Sequence, residues 1–181
     1  LSARPMIKSD PHLNVFSGKN SILEFMDPDN GPCTPLIEVP EELNPFRKHG
    51  VRIFAKLMYL LPLMNIKSLP ALSMMRAAKG QGKLSEVENL IESSSGSMAL
   101  SLSVIARAMG ISTQAILSHW DSEDRVNLMR FFGIDVMINQ EPTEASATDP
   151  RTGMAQARAI GKAEGMFNPD QYSNESNPNA H

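Results

Sequence analysis

The chain has 181 residues, 41% hydrophobic and 20% charged, a size that suits one packed domain or one domain and part of a second. Its 17 basic and 20 acidic residues give a net charge of −3, which provides no electrostatic case for nucleic-acid binding. No apolar run approaches the roughly 20 residues that cross a bilayer, and one cysteine, Cys33, excludes an internal disulfide. We therefore expect a cytoplasmic protein with neither a membrane nor a nucleic acid as partner.

The first 44 residues are rich in proline, asparagine and aspartate, which predicts extended segments and turns with one short strand at 35–39. Further strands are predicted at 51–56, 87–92, 113–118 and 134–139. Helices are predicted at 68–82, 97–110, 122–133 and 151–165, and 166–181 is predicted to be mostly loop. Alternating strands and helices predict an α/β fold, with a parallel sheet covered by helices on both faces.

Lys67 is the one charged residue in an apolar stretch, LPLMNIKSLPALSMM (61–75). Such a lysine either lies across the core with its amine in water, or is kept partly dry because its reactivity is needed. The first arrangement is the commoner one, and the local pattern alone leaves both open. Lys67 is therefore the first candidate for chemistry.

The second candidate is the loop ESSSGSM (92–98), which joins a predicted strand to a predicted helix. Gly96 permits a tight turn, and the following helix N-terminus offers unpaired N–H groups and the positive end of the helix dipole. Such a loop is suited to hold a carboxylate or a phosphate, although an ordinary serine-rich capping turn has the same pattern. It matches no nucleotide-binding motif, and the chain shows no metal-ligand spacing.

Taken in order, these motifs resemble the N-terminal half of the fold-type II pyridoxal-phosphate enzymes, the cysteine synthase and cystathionine β-synthase family. The resemblance runs from TPLIEV (34–39) to the end of the chain. The other matching features are a strand ending at Lys56 with Lys67 eleven positions later, Glu92 with SSGSM (94–98), SEDRVNLMRFFGIDVMIN (122–139) with Arg125 and Gly133, and DQYSNESNPNAH (170–181). The implied fold is similar to that of the tryptophan synthase β-subunit.

The resemblance implies that pyridoxal 5′-phosphate is the cofactor and that Lys67 forms the Schiff base with its aldehyde. Ser97 matches the residue that faces the cofactor ring hydroxyl. The residues that match the family's loop for the substrate carboxylate are Ser94, Ser95, Gly96 and Met98. The implied reaction is β-elimination or β-replacement on a small, serine-like amino acid, with Lys67 as the base that takes the α-proton.

Several positions depart from the family pattern. Leu63 and Met64 stand where the family has two glycines, Ser97 replaces an asparagine, and Met98 replaces a threonine. These changes predict a divergent member with a drier, bulkier site and leave the substrate open. The alternative is a non-catalytic fold-type II scaffold that acts as a binding or regulatory partner. A third, weaker hypothesis is a binder of small anions at the helix N-terminus.

The resemblance also implies a division into domains. Residues 1–44 would belong to the larger domain, 45–148 would form a small α/β domain with Lys67 and the serine loop, and 149–181 would begin the larger cofactor domain. In the family, a glycine-rich phosphate cup follows the segment that here ends at His181. We therefore expect that the missing half is a separate chain or a removed segment, or that this polypeptide is truncated. We also expect homodimerisation, and no measurable turnover by this chain alone.

Overall fold

The structure is a computed structural model that describes residues 8–94, 96–140, 142 and 149–181. The α-helices in these ranges are α1 (Ser21–Met26), α2 (Ser68–Gly80), α3 (Ser97–Ala108), α4 (Glu123–Phe131) and α5 (Gly153–Ile160). The strands are β1 (Leu36–Glu38), β2 (Phe54–Lys56), β3 (Asn89–Ser93), β4 (Ser112–Ser118), β5 (Asp135–Asn139) and β6 (Met166–Phe167).

Four strands form one parallel sheet in the order β5–β4–β3–β6. Successive side chains of a strand point to opposite faces, and the two faces of β3 meet different helices. Leu90 packs in a core cluster with residues of α2 and α3, whereas Ile91 packs with Ala157 of α5. Helices thus cover both faces of the sheet, and the predicted fold class is confirmed.

The helix α3 is the most deeply buried helix in this core. Leu102 and Ile105 are fully buried, and so are Met74 and Met75 of the neighbouring α2. Burying a side chain of this size contributes about 1.5–3 kcal/mol, so the contact between α2 and α3 is a main source of stability. That contact fixes the two helices whose N-terminal ends carry the sequence candidates.

Differences from the predicted elements are local. The helix α1 was not predicted, because its six residues form too short a pattern; it is stabilised by Leu23 and Met26, which pack on the core. The strand β6 has two residues and lies in a segment predicted as loop. The helix α5 ends at Ile160 rather than at 165, and Ser68 is the first residue of α2 rather than its N-cap.

The strands β1 and β2 form a separate antiparallel pair. Leu36 is 64% exposed and Ile37 is 50% exposed, so apolar side chains face solvent on both sides of β1. A two-stranded sheet has little stability of its own. The predicted division into two domains is not tested by this arrangement and stays a prediction. Among the described residues, no helix combines the length and apolar character needed to cross a bilayer.

Candidate active site

Lys67 lies immediately before α2, with its side chain half-buried. Its position is fixed by Asn65, whose Oδ1 accepts the Lys67 backbone N–H at 2.9 Å. The Asn65 carbonyl oxygen accepts the Ser68 hydroxyl at 3.0 Å, and the Asn65 amide donates to the Leu63 carbonyl at 3.0 Å. One asparagine side chain and its backbone therefore hold both ends of the turn that presents the lysine.

The same asparagine connects the lysine turn to α3. The Ser101 hydroxyl, which is fully buried, donates to Asn65 Oδ1 at 3.2 Å. Ser101 lies four residues, or about one turn, after Ser97 at the start of α3. The structure therefore brings together the two parts of the chain that the sequence singled out separately, the lysine turn and the helix that follows the serine loop.

The turn before Lys67 contains two residues in the left-handed backbone region. Leu63 has φ = 61° and Met64 has φ = 56°. At these two positions the family that the sequence resembles has glycine, which adopts this conformation without strain. A side chain there costs about 1–2 kcal/mol, so the turn retains a glycine-type shape without its glycines.

We expect Met64→Gly to stabilise the chain by about 0.5–1 kcal/mol. The substitution relieves the strain at φ = 56°, and little packing is lost because Met64 is 77% exposed. Urea denaturation of the two proteins measures the difference. Met64→Ala is the matched control: it removes the same side chain but keeps the Cβ and hence the strain, so its stability should stay within about 0.5 kcal/mol of the parent. A loss of stability in Met64→Gly would contradict this interpretation.

The serine loop begins where β3 ends. The Ser94 hydroxyl oxygen accepts the N–H groups of Gly96 and Ala99, each at 3.3 Å, so it caps the first turn of α3. Gly96 has φ = 157° and ψ = −91°, a combination that side chains rarely adopt. The capping-turn hypothesis is thus correct for Ser94. Ser95, a predicted substrate contact, lies outside the described residues.

Capping leaves donors free at the start of α3. Within the described part of the chain, the backbone N–H groups of Ser97 and Met98 have no acceptor. Their side chains differ: Ser97 is exposed, whereas Met98 is 2% exposed and packs in the core. Met98 therefore offers an anion its N–H group alone, and the predicted binding roles of both residues stay predictions.

A cation lies beside this loop. A Cβ atom on Gly96 would be 3.8 Å from Cδ and 3.9 Å from Nε of Arg125, at the start of α4. The Arg125 guanidinium is held by Asp121, with 2.6 Å between Nη1 and Oδ1. Asp121 in turn accepts the Ser118 N–H at the end of β4. The sequence matched Arg125 to the family pattern but gave no reason to expect it at the loop.

The C-terminal segment 168–177 lies against the end of β3. The Asn168 amide donates to the Ile91 carbonyl at 2.7 Å, and the Gln171 amide donates to the Ser93 carbonyl at 2.8 Å. The Asn177 amide closes the segment on itself by donating to the Gln171 carbonyl at 2.7 Å. This asparagine-rich segment, which alone resembles a surface loop, is thus docked beside the serine loop.

Comparison with known proteins agrees with this geometry. The model of the pyridoxal-phosphate dependent enzyme family matches residues 29–181. The chain belongs to this family. The cofactor that the resemblance implied, pyridoxal 5′-phosphate, is the cofactor of the family, so that prediction and the family prediction are confirmed.

Relatives in this family include two cysteine synthases. The cysteine synthase of Staphylococcus aureus is 24% identical over 148 residues, which cover 82% of this chain and 45% of the relative. Cysteine synthase B of Salmonella typhimurium is 30% identical over 149 residues, which cover 82% of this chain and 46% of the relative. The chain thus spans slightly less than half the length of the curated relatives it matches.

Solved structures of the family have the same fold. O-ureido-L-serine synthase superposes with a TM-score of 0.71 at 23% identity. The match covers 88% of this chain and 46% of the synthase chain. A hydrogen sulfide-producing enzyme of Fusobacterium nucleatum superposes with a TM-score of 0.67 at 25% identity. This match covers 82% of this chain and 46% of the enzyme chain. This chain therefore shares its fold with these solved structures along most of its length.

The described residues fit part of what a pyridoxal-phosphate enzyme requires, namely an amine for the cofactor and donors for a substrate carboxylate. The half-buried residue Lys67 stands immediately before α2, and two free N–H groups stand at the start of α3. Sequence reasoning missed Asn65, which links the two, because a single asparagine in an apolar stretch has no periodic signal. It also gave no role to Glu92, whose partner Gln171 lies far away in the sequence.

Proposed function

We propose that this chain is the N-terminal part of a cysteine synthase-like enzyme that uses pyridoxal phosphate for β-elimination or β-replacement on a serine-like amino acid. The observation that carries the proposal is the bridge through Asn65 Oδ1, which accepts the Lys67 N–H at 2.9 Å and the Ser101 hydroxyl at 3.2 Å. It ties the backbone of Lys67 to the helix whose N-terminus suits a substrate carboxylate. Family membership and the names of the relatives support the same chemistry.

Lys67 is the catalytic residue in this proposal. When bound, the cofactor supplies the electron sink that the reaction needs at the substrate α-carbon. Lys67 Nζ would hold the cofactor through the cofactor's aldehyde group. Once the substrate has taken the place of Lys67, the free lysine amine would accept the α-proton of the substrate. Its place immediately before α2 gives the amine a fixed backbone attachment.

The start of α3 would bind the substrate carboxylate. The free N–H groups of Ser97 and Met98 and the positive end of the helix dipole suit an anion. Gly96 lets the backbone approach, and Ser94 stabilises the turn through its capping bonds. The exposed hydroxyl of Ser97 would lie towards the cofactor ring, in the position that the family gives to an asparagine.

The partners in this proposal are the amino-acid substrate, a C-terminal half, and a second copy of the enzyme in the cytoplasm. Support for the C-terminal half comes from the length of the relatives, of which this chain spans about 45%. The pair β1–β2 supports it independently, because Leu36 and Ile37 expose apolar surface on both faces of a sheet that is too small to be stable alone. Folding onto further polypeptide would cover those faces.

A non-catalytic scaffold is the second candidate. It is favoured by Met98, whose side chain is buried and carries no hydroxyl, and by Ser94, whose oxygen already accepts two N–H bonds. In this alternative the fold and the loop geometry persist, but the lysine has no aldehyde to bind.

Absorbance of the protein isolated from its source, with any polypeptide that co-purifies, separates the two candidates. We expect a yellow protein whose visible band is removed by borohydride and is absent in Lys67→Ala. Lys79→Ala is the matched control, since Lys79 is exposed at the opposite end of the same helix and its loss should leave the band unchanged. A colourless protein that takes up no added pyridoxal phosphate would favour the scaffold.

A further inference from the structure

Glu92 is a buried carboxyl group that the proposed reaction does not use. It lies in β3 beside the core residues Leu90 and Ile91, and it is 1% exposed. Both oxygens are engaged: Oε1 accepts the Ser93 N–H at 2.9 Å, and Oε2 accepts the Gln171 N–H at 3.1 Å. One side chain therefore joins the start of the serine loop to the docked C-terminal segment.

The charges around Glu92 leave it without a cation of its own. The charged groups that face it are Asp170 in the C-terminal segment and Arg158 on α5. The Arg158 guanidinium already binds the Asp170 carboxylate, at 2.9 Å from Nε and 3.0 Å from Nη2. On β4 the residue opposite Glu92 is Ala115. Burying a carboxylate in such surroundings costs more free energy than burying its neutral form.

We propose that Glu92 is a positioning residue that fastens the C-terminal segment 168–177 beside the serine loop when its carboxyl is neutral and releases the segment into water when it is charged. The proposal rests on the proposed function to the extent that the serine loop is the substrate site. The fastening itself is a property of this chain alone.

The titration of Glu92 supports the direction of this switch. Burial raises the pKa of the docked Glu92 carboxyl from 4.5 to about 7. This effect outweighs the two backbone N–H bonds and the nearby Asn168, which favour the charged form and lower the pKa. The negative charge of Asp170 raises the pKa further. Release of the segment would hydrate the carboxyl and return its pKa towards 4.5. Docking therefore takes up a proton, and it weakens as pH rises through 7.

Two further contacts explain how release would reach the site. The Gln171 amide holds the Ser93 carbonyl, next to the capping residue Ser94, so segment and loop move together at this point. The final turn of the chain, Pro178–Ala180, lies against α2, the helix that begins after Lys67. The segment thus touches the serine loop, and the turn that directly follows the segment touches α2.

Hydrogen exchange of the Gln171 amide in this chain tests the proposal without requiring cofactor or activity. After correction for intrinsic exchange, its protection should fall roughly 70-fold between pH 5 and pH 8, the change expected for a carboxyl with a pKa of about 7 when docked and 4.5 when released. Glu92→Gln, which is neutral at every pH, should show a flat profile. Glu88→Gln removes the same charge from an exposed position four residues earlier and should keep the parent profile.

Protection of Gln171 that does not change with pH in the parent chain would overturn the proposal, and so would a pH profile unchanged in Glu92→Gln. If Glu92→Gln does not fold, carbon-13 NMR of the Glu92 carboxyl in the parent chain decides: titration near pH 7 supports the proposal, and titration near 4.5 refutes it. Absence of a yellow band with normal pH-dependent protection would instead contradict the proposed function and leave the fastening intact.

Discussion

Asn65→Ala should lower the free energy of unfolding by about 2–3 kcal/mol. The side chain accepts the Lys67 N–H and the Ser101 hydroxyl and donates to the Leu63 carbonyl. Each such bond contributes about 1 kcal/mol, and the loss is larger where a buried partner is left unsatisfied. Ser101 is fully buried, so its hydroxyl meets this condition. Urea denaturation measures the change.

A double-mutant cycle with Ser101→Ala tests the bridge itself. Ser101→Ala alone should cost about 1 kcal/mol, and the pair should show a coupling of about 0.5–1 kcal/mol, because each change removes the same hydrogen bond. Asn20→Ala is the control: Asn20 precedes α1 without a side-chain capping bond, and its loss should stay within about 0.5 kcal/mol. Strictly additive effects of Asn65→Ala and Ser101→Ala would show that the two residues do not interact.

Raising the pH from 5 to 8 should lower the stability of the chain by about 2.5 kcal/mol through Glu92. The pKa of this carboxyl is raised from 4.5 to about 7 by burial, so the folded chain holds a proton that the unfolded chain loses. The stabilising contribution is complete below pH 4.5 and disappears as pH rises through 7. Denaturation midpoints at a series of pH values measure it.

Glu92→Gln should flatten this pH profile. The ion-paired carboxyl Glu38 does not interfere, because Arg52 and Arg47 lower its pKa to about 2, far below the range of the experiment. Arg151 lowers the pKa of Asp149 to about 2, so Asp149 does not change its charge between pH 5 and 8 either. Equal slopes for the parent and Glu92→Gln between pH 5 and 8 would contradict the assignment.

The strands and helices of the parallel sheet were predictable because their patterns are long and end at clear signals. Gly110, for example, closes α3 with φ = 82°, as its place after the apolar run suggested. The elements α1 and β6 were not predictable. They have six and two residues, and elements this short depend on tertiary contacts rather than on periodicity.

The site was predictable in part for a similar reason. Lys67 and Gly96 stand out locally, one as a charge among apolar residues and the other as a glycine before a helix. Asn65, Arg125 and Glu92 act through residues distant in sequence, and a single sequence contains no signal for such contacts. The packing of α2, α3 and the C-terminal segment brings Asn65 and Glu92 to the site, and the start of α4 brings Arg125 beside Gly96.

The central claim is that the Lys67 amine binds the cofactor, and mapping the reduced adduct tests it most directly. The isolated protein, with any co-purifying polypeptide, is treated with borohydride and digested, and the peptide that carries the pyridoxyl group is sequenced by mass spectrometry. We expect the modification on the nitrogen of Lys67 and none on Lys56, the exposed lysine at the end of β2. A pyridoxyl group on Lys56 or another lysine, or no modified peptide at all, would contradict the account.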